Sequence, residues 1–295
     1  MKLRLFITLY AISTSVFAQK PITVLISSQP YMNVSQQTFV VQIPQTTLKN
    51  VESHWLKYMS KESKGRVQAA NGTFEQPNVS HPNISPNPFT IFSQLMGTTE
   101  GVRLTAWFTQ NGTDFLFKDP NSGRELAAQK YLHDFAIQEY RAAVQEELAT
   151  EQNKLQLMEK QLSGLNQDEE KSVKTIQENE RATERSNEAI ITNKADIQNS
   201  SDKISNQKGM VDRTASDPNA TKGAKKTLSQ MEDEKKELQK RNEAQGKDKY
   251  SMSKENRAEE RNTSTIQQKQ MLKTADIETQ RQKVYEVKTK LDNIK

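Results

Sequence analysis

The sequence predicts an α+β N-terminal domain followed by a long antiparallel α-helical coiled-coil hairpin. The composition of the 295-residue chain changes along its length, since only Tyr250 and Tyr285 are aromatic after Tyr140. Two long stretches on either side of Pro218 contain no further proline and are rich in Glu, Lys, Gln and Ala. Because proline breaks a helix in its interior, this pattern indicates two long helices that fold back on each other at Pro218.

Residues 1–18 have the pattern of a secretory signal peptide. Lys2 and Arg4 precede an apolar run that ends near Phe17, and Val16 and Ala18 are small residues at the −3 and −1 positions of a cleavage site. The run is too short to span a bilayer. We expect cleavage after Ala18, a periplasmic or secreted mature protein, and no membrane span. The chain contains no cysteine, which excludes a disulfide scaffold, a thiol enzyme and a cysteine-ligated zinc site.

Residues 19–122 are predicted to form the small α+β domain. Leu48, Val51, Trp55 and Tyr58 recur at steps of three and four and predict an amphipathic helix over 46–60. Runs of alternating or β-branched residues predict strands at 38–43, 89–96 and 101–110. The Asn71-Gly72 turn signal indicates a hairpin over 64–74, and the prolines of 78–88 indicate an extended loop. An open sheet with helices on one face would bury the apolar side chains of these segments.

The coiled-coil helices are predicted over 123–215 and 222–295, with a hairpin turn at 216–221. Apolar residues recur every seven positions in both helices, as at Leu148, Leu155 and Leu162 and at Met231 and Leu238. Both patterns align when the helices are paired so that facing residue numbers add up to about 435. This register also places Asn193 opposite Asn242 and Asn179 opposite Asn256. Paired asparagines in a seam disfavour slipped registers.

The predicted seam is apolar near 132–165 and 277–294 and polar in its middle. We therefore expect its base to be rigid and to pack on the α+β domain, and its middle to fray or to need a partner. Gly164, Gly209 and Gly246 should each weaken their helix by up to about 1 kcal/mol.

Several short motifs resemble those of a group of uncharacterised exported proteins of Bacteroidetes-type bacteria. They are Val41-Gln42-Ile43-Pro44, Val51-Glu52 with Trp55 and Tyr58, the strand Val102 to Phe108, and His133-Asp134-Phe135-Ala136 before the coiled coil. The resemblance covers about 38–160. It implies the envelope of a Gram-negative cell and a small N-terminal α+β domain with a long helical hairpin, and it implies no activity and no site residues.

The sequence predicts no catalytic, cofactor-binding or metal-binding residue. His54, His81 and His133 lie in different elements, without a second histidine or an acidic pair at metal-ligand spacing. His54 is interpreted as a helix-surface residue, and His133-Asp134 as local polar residues at a helix start. A paired acid/base site within residues 20–120 would have to use Glu52, Glu62, Glu75, Glu100, Asp114 and Asp119, and the sequence cannot bring these together.

The charge pattern argues against a nucleic-acid partner. The chain has 42 Lys+Arg and 37 Asp+Glu, of which residues 126–295 contain 31 and 30, evenly mixed. Phosphate binding needs clustered cations without nearby acids. We expect a non-enzymatic envelope protein with a structural or protein-interaction role, whose hairpin is a spacer or docking arm. We expect another protein as the partner, and the coiled coil also allows a homo-oligomer.

Two other functions stay open. Periplasmic holdase-like chaperones also combine a small β-containing body with helical-hairpin arms, although here the sheet lies wholly before the hairpin. A small enzyme in the α+β domain is the less favoured reading. Periplasmic adaptors of efflux systems do not fit, since their hairpins interrupt a domain with strands on both sides, and here no strand follows the hairpin.

Overall fold

A computed structural model of the chain describes residues 21–31, 34–61, 63, 65–70, 72–110, 114–117 and 123–295. The predicted signal peptide, 1–18, lies outside these ranges. The elements follow in the order β1 Val24–Tyr31, β2 Val34–Pro44, α1 Leu48–Ser60, β3 Gln68–Ala70, β4 Thr73–Val79, β5 Phe89–Thr98, β6 Gly101–Thr109, α2 Arg124–Arg213 and α3 Pro218–Asp292. The predicted fold class is confirmed: an α+β domain precedes two long helices that pack antiparallel as a hairpin.

The six strands form one antiparallel sheet in the order β1-β2-β6-β5-β4-β3. The three predicted strands are present as β2, β5 and β6. The predicted hairpin is formed by β3 and β4, and Gly72 adopts a left-handed φ of 75° in its turn. Strand β4 continues to Val79, farther than predicted, across an irregularity between Gln76 and Val79. Gly101 (φ 142°) is required at the β5–β6 turn, because a Cβ there would lie 2.1 Å from the Ile43 carbonyl oxygen.

One face of the sheet packs against α1 and the first turns of α2. Val51, Trp55 and Met59 of α1 are fully buried, as are Leu132 and Ala136 of α2. The three- and four-residue spacing that predicts α1 thus gives its buried face. The Thr47 hydroxyl caps the helix by accepting a hydrogen bond from the Asn50 amide at 3.3 Å.

The opposite face of the sheet carries its own aromatic cluster. The Tyr31 ring lies 4.9 Å from Phe92, 5.5 Å from Trp107 and 5.6 Å from Phe115, measured between centroids. Burial, together with the nearby Glu75 carboxylate, raises the pKa of Tyr31 to about 12. The phenol is therefore neutral at physiological pH and acts as part of this packing.

The turn between α2 and α3 comprises residues 214–217, earlier than the predicted 216–221. Pro218 is the first residue of α3 and not a residue of the turn. Proline suits this position because its fixed φ is helical and its missing N–H would be unpaired in any case. The Asp217 carboxylate caps the helix, accepting from the amides of Asn219 at 3.0 Å and Ala220 at 3.3 Å.

The helices pair close to the predicted register. Arg141 donates to the Ile294 carbonyl oxygen at 2.6 Å, and the Thr221 hydroxyl donates to the Thr214 carbonyl oxygen. The predicted asparagine pairs are not formed as hydrogen bonds. Asn193 donates to Gln245 at 2.7 Å, whose longer side chain reaches across the seam. Buried amide atoms of Asn179 and Asn256 have no hydrogen-bond partner among the described residues.

The chain divides into two compact units, residues 1–154 with 280–295 and residues 155–279. The first, called the sheet unit, contains the β-sheet and the base of the hairpin. There Tyr140 and Val144 of α2 pack with Val287 and Ile294 from the C-terminal end. The second, called the hairpin unit, contains only α-helix and the turn. Within the residues that the structure describes, no helix is both long and apolar enough to cross a membrane.

Candidate functional site

The hairpin unit carries an open groove between α2 and α3. Its volume is about 530 Å³. It is lined by Gln161, Gly164, Leu165, Asp168, Lys269, Leu272, Lys273 and Asp276. A Cβ added at Gly164 would meet no atom within 4 Å. Gly164 therefore leaves its part of the groove wall open, without a side chain.

Two large apolar side chains are exposed at the groove: Leu272 lines it, and Met271 is the preceding residue. Leu272 is 70% exposed and Met271 is 74% exposed, although neither position lies in the seam. Tyr250 (74% exposed) occupies the same position of the seven-residue repeat as Met271, so the two lie on one side of α3. Apolar side chains that the fold leaves uncovered next to a concavity are typical of contact sites for another protein.

The charged residues of the groove have both signs. Asp168 lies 3.3 Å from Lys171, and Lys273 lies 3.9 Å from Asp276. Lys269 also lines the groove, so its two lysines match its two aspartates. This balance favours a partner with mixed charges over nucleic acid or a strongly acidic surface.

The sheet unit contains a separate polar cleft, with a volume of about 390 Å³, beside the start of α1. Its carboxylates all come from α2, namely Glu139, Glu146, Glu147 and Glu151. The described members of the predicted acid/base set lie outside it: Glu52, Glu75, Glu100 and Asp114. Lys290 binds Glu147 at 2.8 Å, so part of this acidic charge is neutralised within the unit.

His54 and Glu139 form a hydrogen bond between α1 and α2. The His54 Nδ1 lies 2.8 Å from Glu139 Oε2, and the side chains are 46% and 4% exposed. A carboxyl group with so little exposure to solvent needs a hydrogen-bond partner, because burying it without one is costly. His54 is thus more than the helix-surface residue that the sequence indicates, since it is a hydrogen-bond partner of a buried acid.

Removing this partner should be measurable. We expect His54→Ala to lower the free energy of unfolding by about 1–2 kcal/mol, because Glu139 loses its hydrogen bond. Glutamine, which can still donate to Glu139, should recover part of the loss. Urea unfolding followed by circular dichroism gives the values, with Lys57→Ala in the same helix as the control. An alanine variant as stable as the wild-type protein would contradict this role of His54.

Buried Glu151 lies at the centre of a second polar cluster in the sheet unit. It accepts from Lys154 Nζ at 2.8 Å and from Gln280 Nε2 at 2.7 Å, and Lys283 Nζ lies 3.3 Å away. These bonds, with Lys154 first, lower the pKa of Glu151 to about 2. The cluster joins α2 to the C-terminal part of α3 in the hairpin base.

The other histidines are not brought together with His54. Half-buried His81 packs its ring edge-on to Tyr131 at 5.8 Å, whereas half-exposed His133 lies 3.9 Å from Asp134. Among the described residues, no three His, Cys, Asp or Glu side chains are grouped as a metal would require. The His54–Glu139 contact had one signal in the sequence: Glu139 follows Phe135 and Ala136 on the buried stripe of α2.

Comparisons of the chain with protein-family models, curated proteins and solved structures find no match.

Proposed function

We propose that this is an exported, non-enzymatic interaction protein that uses its coiled-coil hairpin as a docking arm for another protein. The observation that carries the proposal is the groove of the hairpin unit with exposed Met271 and Leu272 beside it. The sheet unit, with its large buried core, is the stable anchor in this account.

Binding of a partner is favoured because it would remove exposed apolar surface from water. Fully burying a Leu or Met side chain contributes about 1.5–3 kcal/mol, and the fold gains little of this at Met271 and Leu272. A partner that covers both side chains and fills the groove above Gly164 would gain it on binding. The surrounding Asp and Lys residues would form the polar rim that interfaces commonly have.

The proposed cellular location is the periplasm or exterior of a Gram-negative cell. It rests on the leader pattern of residues 1–18 and on the resemblance to exported Bacteroidetes-type proteins. The partner is accordingly sought among envelope proteins.

Affinity capture from envelope extracts tests this function. The full chain should retain a specific partner, and Met271→Ser with Leu272→Ser should reduce its recovery at least about 10-fold. The matched control is Leu25→Ser with Ile26→Ser, which removes two exposed apolar side chains from β1. Recovery that falls in the β1 variant and not in the hairpin variant would contradict a docking role of the hairpin.

A holdase-like chaperone is the second candidate. It is favoured by apolar side chains that are exposed singly over the hairpin unit, such as Val173, Ile191 and Met210. A chaperone should suppress aggregation of an unfolded outer-membrane protein at stoichiometric ratio, and replacing these three residues with serine should abolish the effect. A docking arm should show no such suppression.

A further inference from the structure

We propose that the groove of the hairpin unit is a self-association site, in which the hairpins of two copies of this chain lie side by side in parallel. This inference rests on the proposed function and names a partner for it. The two copies are related by a two-fold axis that runs along the hairpin, between the two contacting faces.

The two helices are complementary in shape at the groove. In the antiparallel register, Gly164 on α2 and Leu272 on α3 lie at the same level of the hairpin. One helix thus carries a hole and the other a protruding side chain that is 70% exposed. A two-fold axis along the hairpin places α2 of each copy over α3 of the other. Each Leu272 then enters the hole above the other copy's Gly164, and a single geometry satisfies both sites.

The charges of the two helices are also complementary at the groove. Asp168 on α2 and Lys269 on α3 also lie at one level and line the same groove. The same two-fold rotation places each Asp168 over the other copy's Lys269. The surface is therefore complementary to itself in charge as well as in shape, whereas a partner of one sign would meet repulsion from half of these residues.

The self-association constant of the full chain is the direct test, measured by sedimentation equilibrium. The wild-type chain should dimerise reversibly. Leu272→Glu should raise the dissociation constant about 100-fold or more, because each dimer loses both apolar contacts. The matched control is Ile191→Glu, at a residue 68% exposed in the same unit but outside the groove, and its dissociation constant should stay within about 3-fold of the wild-type value.

A second pair of variants separates loss of contact from loss of folding. Gly164→Leu fills the hole, and the helix tolerates it because no atom lies near the added Cβ. It should abolish dimerisation with unchanged circular dichroism. Gly209→Leu is the same change in the same helix, also into open space, and should dimerise like the wild-type chain. Equal losses in both variants would overturn the proposed geometry.

Charge reversal tests whether the occupant is a second copy. Asp168→Lys and Lys269→Glu should each weaken the dimer about 10-fold, and the double variant should recover it, since the pair is rebuilt with its signs exchanged. A double variant that dimerises as weakly as the single variants would overturn the pairing of Asp168 with the other copy's Lys269. A monomeric wild-type chain would overturn self-association itself. If that chain still lost an envelope partner on replacing Met271 and Leu272, the docking function would stand without the dimer.

Discussion

Replacing Trp55 with alanine is expected to lower the free energy of unfolding of the sheet unit by about 3–5 kcal/mol, as for other fully buried large aromatic residues. Trp55 is fully buried, with its ring 4.7 Å from Phe135 and 5.8 Å from Tyr58 between centroids. Its indole Nε1 donates to the Ser93 hydroxyl at 2.8 Å. The residue thus joins α1, α2 and β5, and alanine would leave a cavity where these three elements meet.

Fluorescence of Trp107 gives the measurement, because Trp55 and Trp107 are the only tryptophans of the chain. Trp55→Phe should cost much less than Trp55→Ala, since it keeps most of the packing and loses the hydrogen bond to Ser93. Tyr285→Ala, at a residue 64% exposed, should change the free energy of unfolding by less than about 0.5 kcal/mol. A loss below about 1 kcal/mol in Trp55→Ala would show that the three elements are not joined in this way.

The second large effect is the acid sensitivity of the hairpin base. Its hydrogen bonds lower the pKa of Glu151 from 4.5 to about 2. A carboxyl group with a lowered folded-state pKa stabilises the protein above its unfolded pKa. That stabilisation is lost as the pH falls from about 4.5 towards about 2. We expect Glu151 to contribute about 2 kcal/mol at neutral pH, because hydrogen bonds to a charged group are strong and the bond from Gln280 is buried.

The difference between wild-type and Glu151→Gln isolates this contribution. Other carboxyl groups titrate in both proteins and cancel in the difference between their free energies of unfolding. The variant should be less stable by about 2 kcal/mol at pH 7, and the difference should shrink towards zero near pH 2. A difference that stays constant between pH 7 and pH 2 would show that ionised Glu151 is not the stabilising species.

The hairpin and its register could be predicted because they depend on periodicity alone. A seven-residue repeat in each helix, with one proline between them, fixes which residues face each other without any knowledge of the sheet. The contact between Arg141 and Ile294 lies on this register. The turn was less well predicted, because proline can open a helix as readily as it can interrupt one.

Strand β1 and the His54–Glu139 contact were not predicted. Most of β1 is exposed, as at Leu25 and Ile26, so it lacks the alternation that a half-buried strand shows. His54 and Glu139 are 85 residues apart, and their contact depends on how α1 and α2 pack on the sheet. No local pattern contains that information, although an acidic residue within an apolar stripe indicates that some partner is required.

Gly164 has one consequence in the sequence and another in the structure. In the sequence, Gly164 indicates a weaker helix, by about 1 kcal/mol relative to alanine. In the structure, the same glycine lines the groove together with exposed Leu272, and a Cβ added to it would meet no other atom. The sequence pattern shows Leu272 to lie outside the seam, and only the paired helices show what lies next to it.

Site-specific photo-crosslinking in cells that produce the protein tests the docking role most directly. A photoreactive amino acid replaces Leu272 in one variant and Leu25 in another, both being exposed apolar positions. If the hairpin is the contact arm, position 272 gives a discrete crosslinked species that contains either a second copy or another envelope protein, and position 25 gives none. A discrete species from position 25 alone would contradict the hairpin as the contact arm and would move the interaction to the sheet.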